Sequence, residues 1–130
     1  MRKVELIGGQ SRGGILAVAY AGQRPEQIKG VINFVGGWLG ARRSTASLIN
    51  QDLFQRGARY PGETIWLYGD DDPFYPLSHS RENFAAFQKA GGKGTFHEFP
   101  PPDAGGHRIV DYPDLWAPVV EAYLKHQGML

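Results

Sequence analysis

Val4-Glu5-Leu6-Ile7-Gly8-Gly9-Gln10-Ser11-Arg12-Gly13-Gly14 is the stretch whose reading decides the fold. It runs from a short apolar segment, Val4–Ile7, through paired glycines into Gly9-Gln10-Ser11-Arg12-Gly13, which is G-x-S-x-G between a predicted strand and a predicted helix. A serine in that place sits on a sharp turn with a strained backbone, so that its oxygen is presented outward. Side chains two residues before and after it would collide, and glycine at 9 and 13 removes the collision. The backbone N–H of Arg12, at the start of the helix, points toward a developing oxyanion. Taken alone, the pentapeptide also suits a Gly-rich turn that binds phosphate or nothing, so the rest of the chain has to decide.

Outward from this stretch, small apolar residues from Ile15 to Tyr20, stopped by Gly22 and Pro25, predict a helix from about Arg12 to Ala21. Val31–Val35 reads as a fully buried strand, bounded by Gly30 and by Gly36-Gly37. A weaker helix near Thr45–Arg56 follows, then a strand at Thr64–Tyr68. A helix over Arg81–Ala90 places Phe84 and Phe87 on one face, and a strand at Thr95–Phe99 comes next. The last helix, Pro113–Lys125, carries an apolar stripe of Trp116, Val119, Val120, Tyr123 and Leu124. The order is βαβαβαβα. Buried strands alternating with helices imply an α/β fold: a mostly parallel sheet of about four strands, with helices on both faces.

The 130 residues suit one domain, 42% of them apolar, and the formal charge is only +1. Neither a polybasic nucleic-acid surface nor an acidic tail is present, and a neutral small-molecule substrate fits this balance. No apolar run is long enough for a membrane span, and the first residues lack the pattern of a signal peptide, which makes a cytoplasmic protein the default expectation. The chain has no cysteine. Chemistry therefore rests on serine, histidine and carboxylates, without thiolate metal sites.

In an open parallel sheet the reactive side chains belong at the carboxyl ends of the strands. The loop after the third strand is Gly69-Asp70-Asp71-Asp72-Pro73. A solvated acidic turn accounts for Asp70 and Asp71, whereas Asp72, held by the following proline, has the place of an acid that orients an imidazole. The loop after the fourth strand holds Gly105-Gly106-His107. Of the other histidines, His97 lies inside a strand, His79 near a helix start, and His126 where a cation suits the end of the last helix. Strand–Ser11, strand–Asp72 and strand–His107 in that order suggest a catalytic triad. Trp38, Phe74 and Tyr75 lie near the predicted mouth and suit either an apolar acyl pocket or packed core. Arg42 and Arg43 suit a solvated pair better than an anion site.

Through Gly8–Gly14, Leu67–Pro76 and Gly105–His107 the chain resembles the C-terminal half of an α/β-hydrolase of the dienelactone-hydrolase-like group, and the likeness covers nearly all of it. The resemblance implies Ser11 as nucleophile, His107 as general base and then acid, and Asp72 as the residue orienting His107. It implies acyl transfer from a small-molecule ester to water, with no metal or organic cofactor. True dienelactone hydrolases carry cysteine where this chain has Ser11, which points to a carboxylesterase. The family fold has about eight strands with the nucleophile after the fifth, whereas Ser11 follows the first strand here. The absent half would supply the second oxyanion donor and would cover the Val4–Ile7 strand. That strand is accordingly expected to be an exposed edge, pairing in a homodimer. A catalytically silent fragment, and a thioesterase or peptidase using the same triad, are the rival expectations.

Overall fold

The computed structural model describes residues 5–130, so Val4 of the expected first strand lies outside the described residues. Four strands, β1 (Glu5–Gln10), β2 (Ile28–Phe34), β3 (Glu63–Gly69) and β4 (Lys93–Phe99), alternate with helices α1 (Arg12–Gln23), α2 (Ala46–Gly57), α3 (Leu77–Lys89) and α4 (Pro113–His126). A 3₁₀ turn at Gly106–Asp111 precedes α4. The strands pair in parallel in the order β1-β2-β3-β4. The structure thus has the expected parallel α/β architecture. Its boundaries differ by two or more residues from those read in the sequence at five places: β1 runs on through the paired glycines to Gln10, α1 runs on to Gln23, β2 starts three residues early at Ile28, β4 two early at Lys93, and α3 one turn early at Leu77. Each extension adds polar or glycine residues that hydrophobic pattern cannot place, such as Lys29, Gly94 and Ser78.

A sheet whose strands are added in sequence order, with crossovers of one hand, puts all three connecting helices on one face. That face carries Asn33, Trp66 and Phe96 in register across β2, β3 and β4. Trp66 is fully buried there, with Phe54 of α2 at 4.4 Å and Phe84 and Phe87 of α3 at 5.0 and 5.1 Å between ring centroids. α4 follows the last strand and covers the opposite face, where Trp116 meets Phe34 edge-on at 4.8 Å. The predicted stripe of α4 is what packs: Tyr123 is buried, and Trp116, Val119, Val120 and Leu124 lie partly buried against the core. The Tyr123 hydroxyl accepts from the Val31 N–H at 2.9 Å and donates to the Glu63 carbonyl at 2.7 Å, joining α4 to two strands. Burial and the neighbouring Tyr60 and Glu63 push this phenol up to about 12, so it stays a neutral donor.

β1 is an edge of the sheet. Its Leu6 is 41% exposed, whereas every residue from Thr64 to Gly69 of β3 is buried. Among the described residues no helix is long and apolar enough to cross a membrane.

α1 and α2 touch through glycine. A Cβ on Gly22 would lie 2.0 Å from the Arg56 carbonyl oxygen, and one on Gly57 would lie 2.4 Å from Val18 Cγ1. Backbone atoms cannot swing aside as a side chain can. Gly22→Ala is therefore expected to destabilise the chain by about 1–3 kcal/mol. The reading is a lower urea midpoint with an unchanged slope.

Candidate active site

Among the described residues three non-glycine residues have positive φ: Ser11 at 60°, Val35 at 46° and Asp71 at 60°. Ser11 directly follows β1, Val35 directly follows β2, and Asp71 lies just beyond β3. Backbone strain of this kind costs about 1–3 kcal/mol per residue and persists only where the surroundings enforce it. Here it is collected at the carboxyl end of the sheet, where sequence reasoning placed the reactive groups.

Ser11 (φ 60°, ψ −121°) stands between the end of β1 and the first turn of α1. Its N–H donates to the Phe34 carbonyl at 2.8 Å, while its own carbonyl accepts from Gly14 at 3.0 Å and Gly37 at 3.2 Å. The turn is thus held from β2 and α1 together. Gly9 is needed as expected, because a Cβ there would lie 2.4 Å from the Gly13 carbonyl. Gly13 departs from expectation: a Cβ on it meets nothing within 4 Å, and the constrained glycine is Gly14, whose Cβ would lie 2.4 Å from Asn33 Oδ1. The collision that shapes the turn is one-sided, a side chain at 9 against the helix backbone. Arg12 opens α1, so its N–H has no acceptor within the helix and remains available to an anion. The Arg12 guanidinium stacks over Trp38, 5.0 Å from the ring centroid.

Asp72 is buried and fully engaged. One carboxylate oxygen accepts from the Phe74 and Tyr75 N–H groups at 2.8 and 2.9 Å, and the other meets His107 Nδ1 at 2.9 Å. This fixes both the carboxylate and the ring it holds, and it leaves Nε2 as the working nitrogen. Asp70 and Asp71 are exposed, Asp70 accepting from the Asp71 N–H in a local turn, as a solvated acidic run requires. His107 reaches Asp72 because its loop lies directly on the end of β3. A Cβ on Gly106 would be 2.1 Å from the Asp70 carbonyl oxygen, and Gly105 has φ 90°. Glycine at both positions is what permits the approach.

Ser11 and His107 are brought to one rim. Gln10 Nε2 donates to the His107 carbonyl at 3.3 Å, and the Tyr75 ring lies 5.6 Å from His107 with Ser11 a polar neighbour of its hydroxyl. No direct hydrogen bond joins Ser11 to His107 among the described residues. Such contacts commonly tighten only with substrate bound. Phe74 is 53% exposed beside His107, at 4.8 Å, whereas Tyr75 is buried. Arg42 and Arg43 are exposed, as expected of a solvated pair.

Sequence reasoning missed Asn50. This fully buried side chain on α2 accepts from the Trp38 and Leu39 N–H groups at 2.9 and 3.1 Å, donates to the Leu39 carbonyl at 2.9 Å, and meets His79 Nε2 at 3.0 Å. It clamps the loop after β2. A lone asparagine in a weakly amphipathic helix gives no sequence signal of such a role. Among the described residues no three His, Asp or Glu side chains cluster as metal ligands.

No family model matches the chain, and no curated protein matches it. Solved structures do. The chain superimposes on an Arabidopsis thaliana SOBER1 variant with TM-score 0.61 and 19% identity, covering 94% of this chain and 52% of that one. An acetyl ester-xyloside bifunctional hydrolase from Caldicellulosiruptor lactoaceticus gives 0.67 and 17%, covering 95% and 56%. A candidate dienelactone hydrolase from Klebsiella pneumoniae gives 0.56 and 23%, covering 82% and 42%. The fold is that of an α/β-hydrolase. The chain spans about half the length of these three structures.

Asn50, which holds the loop after β2, is itself in contact with His79, and burial lowers the His79 pKa from its ordinary 6.5. A histidine kept neutral by the fold takes its proton first in the unfolded chain, so it destabilises the fold as pH falls. Stability is accordingly expected to be level above pH 6.5 and to drop as pH falls through 6.5 toward the lowered folded value. His79→Gln is expected to flatten this drop, read as the urea midpoint against pH.

Proposed function

We propose that this chain is a serine hydrolase of short-chain carboxylic esters, acting through an acyl-enzyme. Ser11 attacks the ester carbonyl, His107 takes the serine proton and then delivers it to the leaving alcohol, and Asp72 orients His107. The Arg12 N–H donates to the oxyanion, and a water activated by His107 releases the acid. The observation that carries this is the buried Asp72 carboxylate bonded to His107 Nδ1 at 2.9 Å, on the rim shared with a serine held at positive φ. The fold's neighbours include proteins named as esterases, among them a thermostable esterase and a carbohydrate esterase, which supports an ester as substrate. The chemistry calls for no metal or organic cofactor.

A second reading has a specific observation behind it. The chain offers the oxyanion one backbone donor, and loss of a donor costs on the order of 10²–10³ in rate. A catalytically silent fragment would fold with the triad in place and turn nothing over.

Hydrolysis of p-nitrophenyl acetate separates the two. The wild type is expected to turn over, Ser11→Ala to be inactive, and Asp72→Asn to lose on the order of 10⁴ in kcat. A wild type that is folded by circular dichroism yet inert would establish the silent fragment. Parallel assays with a thioester and a peptide anilide place the substrate class.

We also propose that β1 pairs with β1 of a second copy about a two-fold axis. The support is the unpaired edge, the exposed Leu6, and the need of soluble proteins to cover such edges. Sedimentation of the wild type is expected to give a dimer, and Leu6→Lys a monomer. A wild type that stays monomeric and soluble at high concentration rules the pairing out.

A further inference from the structure

Tyr75 is held more firmly than an acyl-pocket wall requires. It is 4% exposed, its N–H donates to Asp72 Oδ1 at 2.9 Å, and its carbonyl accepts from the buried Ser80 hydroxyl at 3.3 Å. Its ring lies flat on the backbone after β2: a Cβ on Gly37 would be 2.2–2.6 Å from Cε1, Cδ1 and Cζ. Glycine at 37 is what lets the ring reach this far. The same Gly37 donates its N–H to the Ser11 carbonyl at 3.2 Å, which brings the ring and the serine turn together. No hydrogen bond joins the Tyr75 hydroxyl to Ser11 among the described residues, yet the Ser11 side chain and the Arg12 charge both lower the pKa of this phenol against the larger effect of burial. The phenol therefore lies close both to the nucleophile and to the residue whose N–H opens α1.

We propose that the Tyr75 hydroxyl is the second oxyanion donor of this site, acting with the Arg12 N–H. The inference rests on the serine-hydrolase reading above. As Ser11 Oγ bonds to the ester carbon, its proton passes to His107 Nε2 and the carbonyl π pair moves onto oxygen. The oxyanion then accepts two hydrogen bonds, one from the Arg12 N–H and one from Tyr75. Tyr75 keeps its proton throughout. When the tetrahedral intermediate collapses, the pair returns to the carbonyl and the alcohol leaves with the proton from His107. Burial is the largest influence on this phenol and raises its pKa above 10.0, so it remains a neutral O–H donor through the working range of a histidine base. Donation from a rigidly held side chain needs no reorganisation at the moment of reaction.

The test compares the wild type with Tyr75→Phe, which removes only the hydroxyl and keeps the ring on Gly37. Two quantities are measured: kcat and KM for p-nitrophenyl acetate, and inhibition by phenylboronic acid, a tetrahedral mimic of the intermediate. Tyr75→Phe is expected to lower kcat on the order of 10², to weaken boronate inhibition by a comparable factor, and to leave KM within about twofold. A merely structural role would not separate the mimic from the substrate in this way. Tyr75→His restores a ring donor and is expected to recover part of the lost kcat. It also carries the comparison if the phenylalanine variant does not fold, since the inference then requires it to retain measurable turnover and boronate inhibition. Unchanged kcat and boronate inhibition in Tyr75→Phe would overturn the inference while leaving the hydrolase reading intact. A folded wild type that does not hydrolyse the ester, or turnover that survives Ser11→Ala, would overturn both.

Discussion

The left-handed backbone of Ser11 is the constraint on which the rest of the candidate site depends. Left free, a serine would relax out of φ 60°. It is held by opposing hydrogen bonds: its N–H is drawn to the end of β2, and its carbonyl is bound by Gly14 of α1 and Gly37 of the next loop. Each bond is available only if α1 lies close against β1 and β2, and that closeness depends on Gly9 and Gly14. The strain at one residue is thus maintained by burial elsewhere, in the α1–sheet contact where Ile15 and Val18 are fully enclosed.

The same logic governs the other two corners. Val35, a β-branched residue in the left-handed region, is fully buried and tied to the Leu67 carbonyl at 2.9 Å. Asp71 takes the turn that lets its carbonyl accept the Gly106 N–H at 3.0 Å. That bond docks the histidine loop on β3, and it delivers His107 to the carboxylate of the next residue. Ser11, Asp72 and His107 come from three loops, and these loops are tied by backbone hydrogen bonds in addition to the contact of the Asp72 carboxylate with His107. The scaffold can therefore hold its geometry when a functional side chain is replaced.

Much of this was legible in the chain. Alternating buried strands and amphipathic helices gave the parallel sheet, because hydrophobic period reports burial directly. Ser11, Asp72 and His107 could be singled out because each follows a strand and lies within two residues of a glycine or proline, which mark turns. What escaped notice depends on distance in sequence. Asn50 acts on residues brought near it only by packing, and Gly14 matters through Asn33 on another strand. The starts of β2, β4 and α3 escaped for a different reason: hydrogen-bonded ladders extend past the apolar residues that reveal them.

Each strand pairs with its immediate successor, so no later segment has to be threaded between two earlier ones. Contacts of moderate sequence separation allow a chain to fold without long waits for distant ends to meet. During synthesis β1 emerges before β2, β3 and β4, and each finished crossover supplies the edge onto which the next strand zips. α4 comes last and closes the opposite face, and Tyr123 then links it to β2 and β3. Growth in this order covers one side of each strand as its successor arrives and leaves two edges open, those of β1 and β4. Of these two edges that of β1 forms first, and it has the longer time to meet a partner.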